Sequence, residues 1–123
     1  MNPAYETSLF EVKGELPQNF LIITAYNPKG LNAPMSRNLH QDATLKSVLV
    51  NRGINPVRVI GQSPDQSHQE PGWAVDLDLE TGLELARLFK QLAIYQVEDK
   101  QLKLHYCNGE QVIDLGEWQT RVI

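Results

Sequence analysis

Residues 20–25, Phe-Leu-Ile-Ile-Thr-Ala, constrain this chain more than any other stretch. The run is long enough for one strand, and Pro28 cuts it off too soon for a helix. Its alternating faces are both apolar, so it reads as a central strand covered on both sides. It breaks at Tyr26-Asn27-Pro28-Lys29-Gly30, where Asn, Pro and Gly supply a turn. The rest of the chain has to provide the two covers.

At 123 residues the sequence suits one domain, residues 1–123, with a core over about 5–106 and an apolar tail over 107–123. No apolar run approaches membrane-spanning length and the first residues lack a signal-peptide pattern, so no membrane role is expected. The single cysteine, Cys107, fits a reducing cytoplasm and reads as a small buried filler, not a nucleophile. A net charge of −4 argues against nucleic acid as a partner. Within that total, residues 29–58 set Lys29, Arg37, Lys46, Arg52 and Arg58 against Asp42 alone, a net +4. Residues 65–84 carry six acids and no Lys or Arg, a net −6. Two solvated faces explain this pattern, and so does an anion site beside the first helix.

Taken in order, residues 5–12 alternate through Phe10 and Val12 and suggest an edge strand forming a hairpin with the residue-20 strand. Ser36 is placed to cap a helix over about 36–52, with Leu45, Val48 and Leu49 inward and Gly53 terminating it. Helical steps back from Leu45 and Leu49 reach Asp42, Gln41 and Asn38, which aims Asn38 at the strand end carrying Tyr26 and Asn27. Residues 55–61 form a short strand, and the turn-forming residues 61–72, from Gly61 on to Gly72, read as a loop. Trp73, Val75, Leu77 and Leu79 alternate with polar neighbours as a half-buried strand. A capping box at Thr81–Glu84 opens a helix that buries Leu85, Ala86, Phe89 and Leu92. Residues 93–97 and 102–106 pair around Asp99-Lys100, with 97 opposite 102, 95 opposite 104 and 93 opposite 106. The tail opens on an Asn-Gly turn, and its Val112, Ile113, Leu115, Trp118, Val122 and Ile123 cover the open sheet face or a partner.

The order β–α–β–β–α–β is two split βαβ halves. The expected fold class is α+β: a ferredoxin-like core with both helices on one face of an antiparallel sheet, plus an N-terminal strand and a C-terminal hairpin.

Thr24-Ala25-Tyr26-Asn27-Pro28, Asn38, the Gly61 loop with Glu70-Pro71, and the run from Ala86 to Gln91 before Ala93-Ile94 resemble the bacterial domain-of-unknown-function 3293 family. The likeness spans roughly residues 5–106. The chain departs from it at Lys90, where glycine is common, and at Gly72, where serine is common. The resemblance implies a bacterial, cytoplasmic protein and carries no activity with it.

The polar residues that can converge are Thr24, Tyr26, Asn27, Asn38, Gln62, Glu70 and Gln91. Asn27 and Asn38 lie at a strand end and a helix start, where free N–H groups favour anions, and Lys29 and Arg37 flank them. Local hydrogen bonding of Asn27 and Asn38 is the structural alternative. Glu70 precedes Pro71, which extends its backbone and fixes it in the loop. Gln91 is placed to tie the second helix to the sheet. His40, His68 and His105 are too scattered for a metal and read as surface residues. No cofactor fingerprint or catalytic motif is present, so an enzyme has no support in the sequence.

Two functions remain. One is an interaction or assembly module that meets a protein partner or a second copy through its tail and sheet face. The other is a binding module for a small anionic ligand, at the pole formed by Tyr26-Asn27, Asn38 and residues 61–72.

Overall fold

The computed structural model describes residues 3–109 and 111–123; residues 1–2 and 110, which the expected domain and tail include, lie outside the described residues. Seven antiparallel strands form one sheet, with two helices: β1 (Leu9–Val12), β2 (Phe20–Ile23), α1 (Met35–Asn51), β3 (Val57–Gln62), β4 (Gln69–Val75), α2 (Leu79–Leu88), β5 (Ala93–Glu98), β6 (Gln101–Tyr106) and β7 (Val112–Glu117). The spatial order is β1-β3-β4-β2-β5-β6-β7, which puts β2 in the middle.

All four β2 residues are buried. Leu21 and Ile23 join Leu45 and Leu49 of α1 and Leu85 and Ala86 of α2 in one cluster. Phe20 and Ile22 join Phe10, Val59, Ala74, Val97, Leu102 and Trp118 in the other. The double cover demanded by the sequence is therefore real: helices on one side, and on the other β1 with residues of the tail.

That second cover curls the sheet. Arg121, in a 3-10 turn after β7, donates through Nη1 to the carbonyls of Glu6 and Ser8 at 2.8 and 3.3 Å. Val122 forms a parallel bridge with Phe10, and the Ile123 N–H donates to the Phe10 carbonyl at 2.9 Å. Trp118 lies between the Phe10 and Phe20 rings, at 5.1 and 5.3 Å between centroids. The tail thus packs within its own chain, as an edge strand and a plug.

Several expectations are corrected. β1 pairs with β3, Phe10 opposite Gly61, and not with β2. Half of residues 61–72 is sheet: β3 and β4 pair from Val57↔Ala74 to Gln62↔Gln69, leaving a turn over 63–68. Pro71 hides this because it breaks a strand pattern, yet β2 pairs with β4 only as far as Trp73. Ala74 is fully buried, so β4 is covered on both faces, and Leu79 starts α2 instead of ending a strand. The cap of α2 is Asp78, whose carboxylate accepts from the Thr81 N–H at 3.0 Å. The cap of α1 is Pro34, one residue before Met35, with no side-chain bond. Leu92 is exposed, beyond the end of α2. His105 is buried and bonded to Gln96 at 2.7 Å, because the β5–β6 face beside Ile94 is covered too.

Other readings hold. Asn38, Asp42, Leu45 and Leu49 form the buried stripe of α1. The β5–β6 register is the expected one, around Asp99 and Lys100 at φ 51° and 68°. Cys107 is a free, buried thiol pushed up by burial, the opposite of an activated nucleophile.

Lys90 adopts φ 58° and its carbonyl accepts from the Lys29 N–H at 2.6 Å. Glycine, which the resemblance sets at this position, has no Cβ to strain there. Lys90→Gly should therefore stabilise the fold by about 1 kcal/mol, read as a higher urea midpoint. A lower midpoint would show that the lysine side chain contributes more than its backbone costs.

Candidate functional site: a half-polar cavity inside the curl

The curl of β1 toward β5 leaves space between them. A cavity of about 290 Å³ opens there, on the sheet face opposite the helices. Its apolar wall is Phe10, Ile22, Ala93 and Tyr95. Its polar groups come from the turn after β2, the facing ends of β3 and β4, Gln91, and the N-terminal residues Tyr5 and Ser8.

Of the seven candidate residues, Thr24, Asn27, Gln62, Glu70 and Gln91 line this cavity; Tyr26 and Asn38 do not. Asn38 is a support. Its Oδ1 accepts from the Asn27 N–H at 2.9 Å, and its Nδ2 donates to Asn27 Oδ1 at 3.0 Å and to the Ala33 carbonyl at 3.4 Å. Asn27 Oδ1 also takes the Ala33 N–H at 3.1 Å, and Asn27 sits at φ 49°. The local-bonding alternative is thus what the pair does. Asn38→Ala would leave these groups buried and unmatched, destabilising the fold by about 2–4 kcal/mol. An unchanged urea midpoint would show the network to be dispensable.

The anion argument at this pole does not carry over to the cavity. The Asn27 N–H is taken by Asn38, and the Asn38 N–H by the Pro34 carbonyl. Arg58 is spent on Asp42 in a two-pronged pair at 2.9 and 2.7 Å, with its guanidinium 3.7 Å from the Trp73 ring centroid. Tyr26 is buried, and its phenol is pushed up by burial and by the Asp42 charge. Among the described residues lining the cavity, none is Lys or Arg.

Thr24 holds the cavity floor, donating to the Pro71 carbonyl at 2.7 Å and accepting the Tyr26 N–H at 3.0 Å. Gln91 lies past α2 and ties the helix end to the turn after β2, its Nε2 donating to the carbonyls of Tyr26 and Phe89 at 3.1 and 3.2 Å. Gln62 ends β3 and is only 5% exposed, yet its Oε1 has no hydrogen-bond partner. Glu70 stands opposite Gly61 in the ladder, half-buried; burial pushes its carboxyl up to about 7 against the pull of a hydrogen bond with the Asn27 side chain. Buried acceptors without partners are uncommon in native proteins, and perturbed carboxyls concentrate at functional sites.

Sequence reasoning missed Tyr5, Ser8, Phe10 and Tyr95. The Tyr95 hydroxyl donates to the Tyr5 carbonyl at 2.6 Å and lies 3.0 Å from Ser8 Oγ. Burial, followed by the Glu70 charge, pushes the Tyr5 phenol up to about 12. The available signal was Tyr95 itself: a hydroxyl on the inward side of a hairpin needs a partner from elsewhere in the chain. His68 lines the rim on the 63–68 turn, while His40 is exposed on α1. Among the described residues no group of His, Cys, Asp or Glu could hold a metal ion, and no helix is long and apolar enough to cross a membrane.

Fold and site together define an α+β protein with a small, half-polar cavity inside a curled antiparallel sheet. The model of the family described as "Protein of unknown function (DUF3293)" matches residues 23–94, more than half of the chain, and the chain belongs to that family. The matched span holds all seven candidate residues, whereas Tyr5, Ser8, Phe10 and Tyr95 lie outside it. No curated protein and no solved structure matches the chain.

Proposed function

We propose that this protein is a binding module for a small polar ligand, held in the cavity between β1 and β5. The observation that carries the reading is Gln62 Oε1, a buried acceptor without a partner on the cavity lining. Ligand sites combine apolar walls with a few convergent polar groups, and this cavity is near the small end of their size range. No reaction is assigned to it.

The scaffold we propose is one domain with a ferredoxin-like core, β2-α1-β3-β4-α2-β5. Support comes from the order β3-β4-β2-β5 within the sheet and from the antiparallel pairing of all four strands. β1 extends it on one side, and β6 and β7 on the other. A bacterial, cytoplasmic setting is supported by the family resemblance and by the free thiol of Cys107.

The test is a thermal-shift screen of the pure protein against small amines, amides, sugars, nucleosides and acids. A ligand at about a hundred times its dissociation constant adds about 2.7 kcal/mol, a rise of order 10 °C. Gln62→Leu should weaken the response. A screen with no response of any charge class would overturn the reading.

A protein partner or a homodimer is the second reading. It is favoured by the exposed apolar side chains of Leu31, Met35, Leu88 and Leu92. Sedimentation as a monomer at high concentration would count against the homodimer. Trp118 no longer argues for a partner, because it is buried within the chain.

A further inference from the structure

The polar groups of the cavity are unevenly matched. Gln62 Oε1 has no donor, and its side chain is more than nine-tenths buried. Gln91 uses its amide nitrogen on two carbonyls, leaving the acceptor Oε1 as its other polar atom. The Tyr95 proton goes to the Tyr5 carbonyl. The Glu70 carboxyl has the Asn27 side chain and no cation beside it. What the lining offers a ligand is therefore mainly acceptors, one of them able to carry a full negative charge.

We infer that the cavity takes a small organic cation, an amidinium, guanidinium or protonated amine, whose N–H groups meet Gln62 Oε1 and the Glu70 carboxylate while its body lies against Phe10 and Tyr95. This rests on the cavity being a binding site, as proposed above. A half-buried carboxylate with no counter-ion is costly, and a cation brought to it interacts far more strongly than in water. A planar fork of N–H donors matches a carboxylate geometrically, and aromatic walls attract cations. An anion would meet Glu70 with no Lys or Arg on the lining to offset the repulsion.

The inference sets a pH dependence. Facing Glu70 are Asn27 from the turn after β2, Tyr5 from the N-terminal segment, Tyr95 from β5 and Tyr26 beyond the cavity floor. Arg121 acts on Tyr95 from the tail, and His68 is the remaining titratable side chain on the lining. Burial raises all three tyrosines, so they stay neutral around pH 7. Glu70, near 7 when the cavity is empty, must ionise to hold a cation. Cation affinity should therefore rise about tenfold from pH 6 to pH 8.

The probes are benzamidine, benzamide and benzoate, which share one shape and differ in charge. Titrations at pH 6 and pH 8 would follow backbone amide resonances and heat. Benzamidine should shift the resonances of Gln62, Glu70 and Tyr95, bind about tenfold or more tighter than benzamide at pH 8, and weaken at pH 6. Glu70→Gln should abolish both the preference and the pH dependence; His68→Asn should leave both intact. Gln62→Leu should weaken benzamidine at both pH values and keep the dependence, which serves as a second variant should Glu70→Gln fail to fold. If benzamide or benzoate shifts the same resonances as strongly, the cation inference falls and the binding module stands. If none of the three shifts them at millimolar concentration the inference also falls, and the broader screen decides the binding module separately.

Discussion

At pH 8 Glu70→Gln should unfold at a higher temperature than the parent protein, by about 2–3 kcal/mol or roughly 10 °C. The native carboxyl is raised to about 7 from an ordinary 4.5, chiefly by burial. Between those values the folded state binds the extra proton, so stability falls as pH rises through the window and is flat above it. The neutral amide has no such loss, and it keeps an oxygen for the Asn27 side chain. At pH 4.5 the two proteins should melt together. Calorimetry at both pH values checks this: an equal gain at both would trace the effect to packing, and no gain at pH 8 would place the carboxylate in a better-solvated site. Stabilisation on removing a charge is the usual mark of a group retained for what it binds.

Trp118→Ala should cost about 3–5 kcal/mol and lower the melting temperature by about 10–20 °C. The indole fills the space between Phe10 and Phe20 and lies beneath the residues that draw the tail onto β1. Phe10 also lines the cavity, so ligand binding should weaken in the same variant at temperatures where it is still folded. A Trp118→Ala protein of unchanged stability that failed to self-associate would restore the reading in which the tail serves a partner.

The centre of this fold was legible because its residues allow few alternatives. Residues 20–25 had to be covered twice, Leu45 and Leu49 set the face of α1 that carries Asn38, and Asp99-Lys100 fixed the β5–β6 register through residues that tolerate positive φ. The β3–β4 hairpin was obscured because Pro71 and Gly72 read as loop, although both pair with β3, while β2 meets their strand only through Trp73–Val75. The candidate residues near the turn were found by local reasoning, since Asn27 and Asn38 are eleven positions apart. The opposite wall was not, because Phe10 and Tyr95 come to the candidate Gln62 only through the pairing of β1 with β3 and the curl beyond it. Nothing local to residues 5–12 distinguishes a neighbour of β2 from a neighbour of β3.

The clasp between residues 6–10 and 121–123 also bears on the order of assembly. Arg121 and the Glu6 carbonyl it holds are 115 positions apart, and Phe10 meets Val122 across nearly the whole sequence. During synthesis the helices and the β2–β5 strands can pack while residues 118–123 are still inside the ribosome; β1 can pair with β3 then too, but its outer side stays open. The wall formed by Tyr5, Ser8 and Phe10 is fastened only when the turn at Trp118–Arg121 emerges. Nascent chains halted before residue 118 should thus be compact yet unable to retain ligand, and binding would mark the moment at which residues 118–123 reach β1.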